Sequence, residues 1–126
     1  MARASRALAG VVAGLAVLSV GIPAGQAAGA MAIGACAAYG YAYDYGDANA
    51  ARAAARGKCV GSGCKVVTML RRSCAALAID GHHPCGPHGF GSARGLGDAE
   101  NTALQTCYNS GGRDCVIRAF ACDKKG

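Results

Sequence analysis

Eight cysteines in a chain of 126 residues, the first at Cys36, fall into two matching strings, and no other feature limits the fold so strongly. In each string an alanine-bearing helical run ends in a cysteine. A glycine turn follows, and a second cysteine opens a β-branched strand that leads to a third. The first copy runs from Ala50 to Cys59, through Gly61-Ser62-Gly63, into Cys64-Lys65-Val66-Val67-Thr68-Met69-Leu70 and on to Cys74. The second runs from Asp98 to Cys107, through Gly111-Gly112, into Cys115-Val116-Ile117-Arg118-Ala119-Phe120-Ala121-Cys122. Self-similarity of this kind sets a fold plan and a cross-linking plan together.

Eight cysteines allow roughly a hundred pairings, and the repeat is what narrows them. Cys59 with Cys64, and Cys107 with Cys115, flank a tight reversal in each copy and are the local candidates. Cys74 and Cys122, read as ending the equivalent strand of each copy, become partners across a pseudo-two-fold. Cys36 and Cys85 remain, each in the hairpin region of its half. Chain entropy assigns about 2 kcal/mol to the short Cys59 loop and about 4 kcal/mol to the long Cys74 loop. Such staples offset the small core of a short domain rich in Ala and Gly.

The beginning of the chain reads differently. Arg3 and Arg6 precede an uncharged apolar run from Ala7 to Ile22, and small residues follow at Ala24, Gly25, Ala27, Ala28 and Ala30. Residues 1–30 therefore read as a secretory signal peptide, cleaved after Ala27 or Ala30, both of which satisfy a small-x-small rule. A retained anchor is the competing reading, but the run falls short of the ~20 apolar residues that cross a bilayer. Ile33-Gly34-Ala35-Cys36 resembles a lipoprotein box, yet it does not abut the apolar run as lipidation requires. No later segment reaches spanning length, so stable membrane insertion is not expected after cleavage. An even cysteine set behind an export signal fits an oxidising compartment.

Residues 31–126 are expected to form one domain, made of repeats 31–73 and 74–122. Tyr39-Gly40-Tyr41-Ala42-Tyr43-Asp44-Tyr45 alternates strictly, predicting a strand with four tyrosines on one face. Gly46 breaks it, and Asp47 can cap the helix that follows. There Ala48, Ala51, Ala55 and Cys59 share one face while Asn49, Arg52 and Arg56 share another. The second half starts again with a strand at Cys74–Ile79. A loop over residues 80–88 follows, then a strand at 89–93, and then a helix capped by Asp98 with Ala99, Ala103 and Cys107 inward. Each half is strand, strand, helix, strand, which predicts an α+β fold with two helices on antiparallel sheet.

The residues that carry chemistry are few. His82, His83, Cys85 and His88 combine soft and borderline ligands that could hold zinc or copper, if Cys85 stayed reduced. Without that thiolate, His82, His83 and His88 form a thin ligand set in an exposed loop. A Cys–His nucleophilic pair would need a spare activated thiolate, which an even count does not supply. Asp98 and Glu100 sit where a helix start explains them. The glycines from Gly89 to Gly97 lack the spacing and the lysine of a phosphate loop. Beyond Arg3 and Arg6 the net charge is about +4, and its arginines are scattered rather than striped, so nucleic acid is not an expected partner. A basic protein outside the membrane would be drawn weakly to anionic wall polymers or headgroups, and ordinary solubilising charge is the competing and favoured reading. Tyr39, Tyr41, Tyr43 and Tyr45 are the candidate binding residues, since rings on one strand face can stack on sugars or anchor a protein. The same rings could instead form the main core, because few other large side chains exist.

Four phrases, in this order and spacing, resemble the family known as domain of unknown function 4189, small exported bacterial proteins. They are Tyr39-Gly40-Tyr41-Ala42-Tyr43, Cys64-Lys65-Val66-Val67, Cys74-Ala75-Ala76-Leu77-Ala78-Ile79 and Ala119-Phe120-Ala121-Cys122. Two turns depart from that pattern. The first hairpin is shortened at Cys36, and the second carries His82-His83-Pro84-Cys85-Gly86-Pro87-His88. The resemblance thus favours pairing Cys36 with Cys85, and it supplies no catalytic residues.

The sequence predicts a secreted, disulfide-stapled, non-enzymatic domain with no cofactor. Its expected partner is an envelope component or an extracellular protein. An inhibitor of a secreted hydrolase, or a host-directed effector, is the alternative, with metal binding through His82, His83 and His88 a further one. An inhibitor would need a rigid projecting loop, for which residues 82–88 are the obvious place.

Overall fold

The computed structural model describes residues 28–124, with Gly14 alone before them, so the expected signal peptide falls almost wholly outside the described residues. The chain runs β1 (Ala28–Ile33), β2 (Tyr39–Tyr45), α1 (Ala48–Lys58), β3 (Lys65–Leu70), β4 (Ser73–Asp80), β5 (His88–Ala93), α2 (Leu96–Asn109) and β6 (Cys115–Asp123). Each half is strand, strand, helix, strand, and the fold is α+β. The strands form two three-stranded antiparallel sheets with the same connectivity, β2-β1-β3 and β5-β4-β6. In both, the first strand of the half is central.

Alternation along the central strands builds the layers. On β1, Ala28, Ala30 and Ala32 pack under α1 against Ala51 and Ala55. On β4, Cys74, Ala76 and Ala78 pack under α2 against Ala99, Ala103 and Cys107. The opposite faces meet each other, with Met31, Leu70, Ala75 and Ala121 joined by Ile33, Tyr41 and Val67 between the sheets. The result is helix, sheet, sheet, helix. Among the described residues the only large buried apolar side chains are Met31, Leu70, Leu77 and Ile79. Such a core buries little apolar area per residue, so covalent links compensate.

Small residues under the helices are a steric requirement. A methyl group on Gly91 would run into the carbonyl oxygen of Ala99, and one on Gly89 would lie 2.5 Å from the Cys107 nitrogen. The helix backbone therefore rides directly on the backbone of β5. Gly40 of β2 lies equally close under α1.

Local chemistry sets the helix ends. Asp47, at φ −142°, caps α1 by accepting the N–H of Asn49 at 3.0 Å. Arg56 and Lys58 stand in its last turn, where the helix dipole favours cations. Asp98 does not cap α2 as expected. The N–H of Ala99 reaches the carbonyl of Gly95, so the helix begins at Leu96 and its cap is Gly95. Asp98 lies inside the first turn, where its charge complements the dipole instead.

The disulfides join Cys36 to Cys85, Cys59 to Cys64, Cys74 to Cys122 and Cys107 to Cys115. The Cys74–Cys122 bond does not cross between the halves. Cys74 lies near the start of β4 rather than at the end of β3, and it faces Cys122 in the adjacent strand β6 of the same sheet. The bond between halves is Cys36–Cys85, which ties the β1–β2 turn to the β4–β5 loop.

Candidate functional site

β2 carries the tyrosines, and the helix above it decides where they point. Gly40 and Ala42 are buried because little else fits beneath α1. Period-two alternation then places Tyr39, Tyr41 and Tyr43 on the other face. Their rings form a ladder, with centroids 6.4 and 6.3 Å apart and planes tilted by 2° and 20°. They are not the main core, which is alanine-rich, and of the three only Tyr41 packs on the cluster between the sheets. Tyr39 and Tyr41 are half-buried and Tyr43 is 54% exposed. The ladder lies at the rim of the two-sheet interface, beside β6 of the opposite sheet.

Tyr45 leaves the ladder, contrary to the four-ring face expected. Asp44 adopts φ 61°, and the β1–β2 register shifts between Ala28 and Ala30. This bulge turns the strand by one position, and Tyr45 packs instead on the alanine cluster beneath α1. The Asp44 N–H donates to the Asp123 carboxylate at 3.1 Å, holding the irregular turn in place.

Two grooves flank the ladder. One, of about 490 Å³, is lined by Tyr39, Tyr41, Ile117, Arg118, Phe120 and Glu100. The other, of about 330 Å³, is lined by Tyr39, Gly40, Tyr41, Tyr43 and Lys58. The guanidinium carbon of Arg118 sits 5.3 Å from the centre of the Tyr39 ring, a cation–π contact. Its position comes from a second bulge. The β4–β6 register slips between Leu77 and Ala78, so Arg118 is the extra residue of β6 and turns toward the ladder. The equivalent slip, between Met31 and Ala32, makes Val67 the extra residue of β3. Phe120 adds a 53%-exposed ring to the same groove. Stacked rings between Lys58 and Arg118 can grip a flat, partly apolar, negatively charged ligand. Sequence reasoning missed Lys58, Glu100, Arg118 and Phe120 because they reach the site from α1, α2 and β6. The slip that turns Arg118 carries no glycine or proline to mark it.

Charge is divided between the helices. α1 bears Arg52, Arg56 and Lys58 with no acid, whereas α2 bears Asp98 and Glu100 with no base. Arg52, Arg56 and Lys65 border a groove of about 590 Å³ along β3.

The histidine loop is exposed and tied down. His82, His83, Pro84 and Cys85 are exposed. The loop is held by the Cys36–Cys85 bond, by His82 Nε2 against Asp114 at 3.1 Å, and by Asp80. The buried Asp80 carboxylate accepts the backbone N–H of Arg113 at 3.1 Å and of His82 at 2.9 Å. These donors, Arg113 first, hold its pKa below the ordinary value. Cys85 is spent in a disulfide and so is no metal ligand or thiolate. His88 Nδ1 lies 3.3 Å from the Gly86 carbonyl, while His82 faces Asp114, so the loop does not gather its histidines. Among the described residues no group of three or more His, Cys, Asp or Glu is placed to hold a metal ion.

Beneath Cys36–Cys85 lies a cavity of about 270 Å³, lined by Ile33, Ala35, Leu77, Ile79, Pro84 and His88 among others. Among the described residues no helix is long and apolar enough to cross a membrane. A family model described as Domain of unknown function (DUF4189) matches residues 28–122. No curated protein and no solved structure matches the chain.

Proposed function

The chain belongs to the domain of unknown function 4189 family, and from that premise we propose that it is a non-enzymatic binding module working outside the cell, which holds an anionic envelope polysaccharide along Tyr39, Tyr41 and Tyr43. The parallel ring ladder between Lys58 and Arg118 carries this reading. Sugar rings stack on aromatic faces, and a repeat near 6.4 Å offers successive platforms rather than one pocket. The cations select acidic sugars. Four disulfides suit an oxidising compartment, which supports a place outside the cytoplasm.

Titration calorimetry with a uronic-acid oligosaccharide tests the reading. Tyr43→Ala should weaken binding about 3- to 10-fold, the range of one aromatic contact, without lowering stability, because Tyr43 is exposed. Arg118→Gln should weaken binding and reduce its salt dependence. Absence of binding to any acidic glycan, or binding unchanged in both variants, would sink it.

A second reading rests on the His82–Cys85 tip, an exposed loop pinned by a disulfide and by Asp80, as an inhibitor's contact loop must be. Its partner would be a secreted hydrolase. Inhibition lost on His83→Ala and kept in Tyr43→Ala would select this reading over the first.

A further inference from the structure

We propose that the cavity beneath Cys36–Cys85 is a second binding site, which takes a small neutral monocyclic phenol. Its lining shares no residue with either groove of the tyrosine ladder.

The cavity is the unfilled end of the layer between the sheets. Met31, Leu70, Ala75 and Ala121 fill one end of that layer. At the other, Ile33, Leu77 and Ile79 border about 270 Å³ of space. Counting from the matching bulges, Ile33 of β1 and Ile79 of β4 hold equivalent places, so the cavity lies where the two halves face each other. Leu77 and Ile79 are buried and form its floor, while Cys36, Pro84, Cys85 and His88 are exposed and form its rim. Junctions between packed units are where proteins preferentially take small ligands.

The rim is fixed on both sides. Cys36–Cys85 joins its two turns covalently. Cys36 and Ala37 stand at φ 55° and 66°, a left-handed conformation that residues with a side chain seldom take. The Ala38 N–H donates to the Ala35 carbonyl at 3.2 Å, and the Ala35 N–H to the Ser62 carbonyl at 3.0 Å, so this turn is held in place rather than relaxed into the space below. Opposite, the Gly86 N–H donates to the His83 carbonyl at 2.8 Å and the Asp80 N–H to that of Pro87 at 3.0 Å. Walls that cannot collapse leave apolar surface without contacts, and a fitting ligand supplies them without ordering the protein further.

The lining sets the chemistry of the ligand. Among the described residues that line the cavity none is Asp, Glu, Lys or Arg, so a charged ligand would be buried without a partner. An apolar cavity of about 150 Å³ holds a benzene ring, so about 270 Å³ has room for a ring, a hydroxyl and a short alkyl chain. His88 supplies the polar contact. Its Nδ1 lies 3.3 Å from the Gly86 carbonyl, which can only accept, so Nδ1 carries the proton and Nε2 is left as an acceptor. A hydroxyl donates to such a nitrogen, whereas an ether or a ketone cannot. A phenol joins that donor to a rigid apolar ring.

The test titrates the oxidised protein with 4-ethylphenol, ethylbenzene and 4-ethylbenzoate, followed by calorimetry and methyl NMR. 4-Ethylphenol should bind saturably and shift the methyl signals of Ile33, Leu77 and Ile79. It should bind about 3- to 10-fold tighter than ethylbenzene, the range of one hydrogen bond, and His88→Phe should abolish that preference. Ile33→Phe fills the space from its wall and should abolish binding. The methyl shifts of the wild type locate the ligand whether or not that variant folds. No saturable binding, shifts elsewhere, tighter binding of the benzoate, binding kept in Ile33→Phe, or a preference kept in His88→Phe would each overturn the proposal. Tyr43→Ala should bind 4-ethylphenol as the wild type does, so the outcome does not turn on the glycan site.

Discussion

Gly91→Ala, which adds a single methyl group, should destabilise this protein more than most surface changes because of where β5 meets α2. The added carbon would collide with the carbonyl oxygen of Ala99, and would lie 2.7 Å from Thr102 Cβ and 2.8 Å from the Ala103 nitrogen. Two of these three obstacles are helix backbone, which no side-chain rotation relieves. Ordinary contact begins near 3.4 Å, so α2 must lift by most of an ångström or tilt. Lifting it opens the cluster of Ala76, Ala78, Ala99 and Ala103, whose methyl groups are too short to follow. Overpacking of this kind costs about 1–3 kcal/mol. Parting the alanine layer adds about 1 kcal/mol more, at ~25 cal/mol per Å² for a few tens of Å². Against this, losing glycine's unfolded-state freedom returns about 0.4–1 kcal/mol. The net loss is about 2–3 kcal/mol, equivalent to a fall in Tm of about 10–20 °C for a domain of this size. Thermal unfolding of the oxidised protein, followed by circular dichroism, measures it. Gly97→Ala is the control, since nothing lies within 4 Å of the added carbon, and it should leave Tm unchanged or raise it. If Gly91→Ala melts with the wild type, the direct packing of helix on strand is wrong.

Other perturbations test other joints. Because backbone donors depress the Asp80 pKa, its ionised form stabilises the fold above the ordinary value of 3.8, and that contribution is lost as pH falls through the lowered folded value. Asp80→Asn should therefore lower Tm at neutral pH and flatten its decline below about pH 4 in melts across an acid series. Replacing Cys74 and Cys122 by Ala should cost more stability than replacing Cys36 and Cys85. The loops are of matching length, with separations of 48 and 49, but Cys74 is fully buried whereas Cys36 and Cys85 are exposed. Chemical denaturation should show about 4 kcal/mol lost for the exposed pair and more for the buried one. Asp47→Ala should remove about 1 kcal/mol by uncapping α1, read as a shift of the denaturation midpoint.

Much of this architecture was legible along the chain. The Tyr39–Tyr45 alternation marks a strand, Asp47 marks a helix start, and alanines three and four apart mark the faces that lie on the sheet. These are properties of neighbouring residues, set by the period of strand and helix and by turn chemistry, and they need no knowledge of what lies opposite. The errors fall where neighbours across space decide. Asp98 looks like a cap, but the helix gains one more turn of hydrogen bonding from Gly95. Cys74 follows β3 in the sequence but belongs to β4.

The sequence by itself determined the elements, their order in two like halves, the family, and a face of tyrosines on one strand. Tertiary structure decided what that face became. Helices pressed directly onto glycine and alanine filled the layer above β2, so Tyr39, Tyr41 and Tyr43 turned to the rim of the two-sheet interface. One bulge drew Tyr45 away from them, and another brought Arg118 to Tyr39. A bulge is a mismatch between two strands, and the residues that flank a groove meet only when the sheets pack. Neither is written in any one segment of the chain.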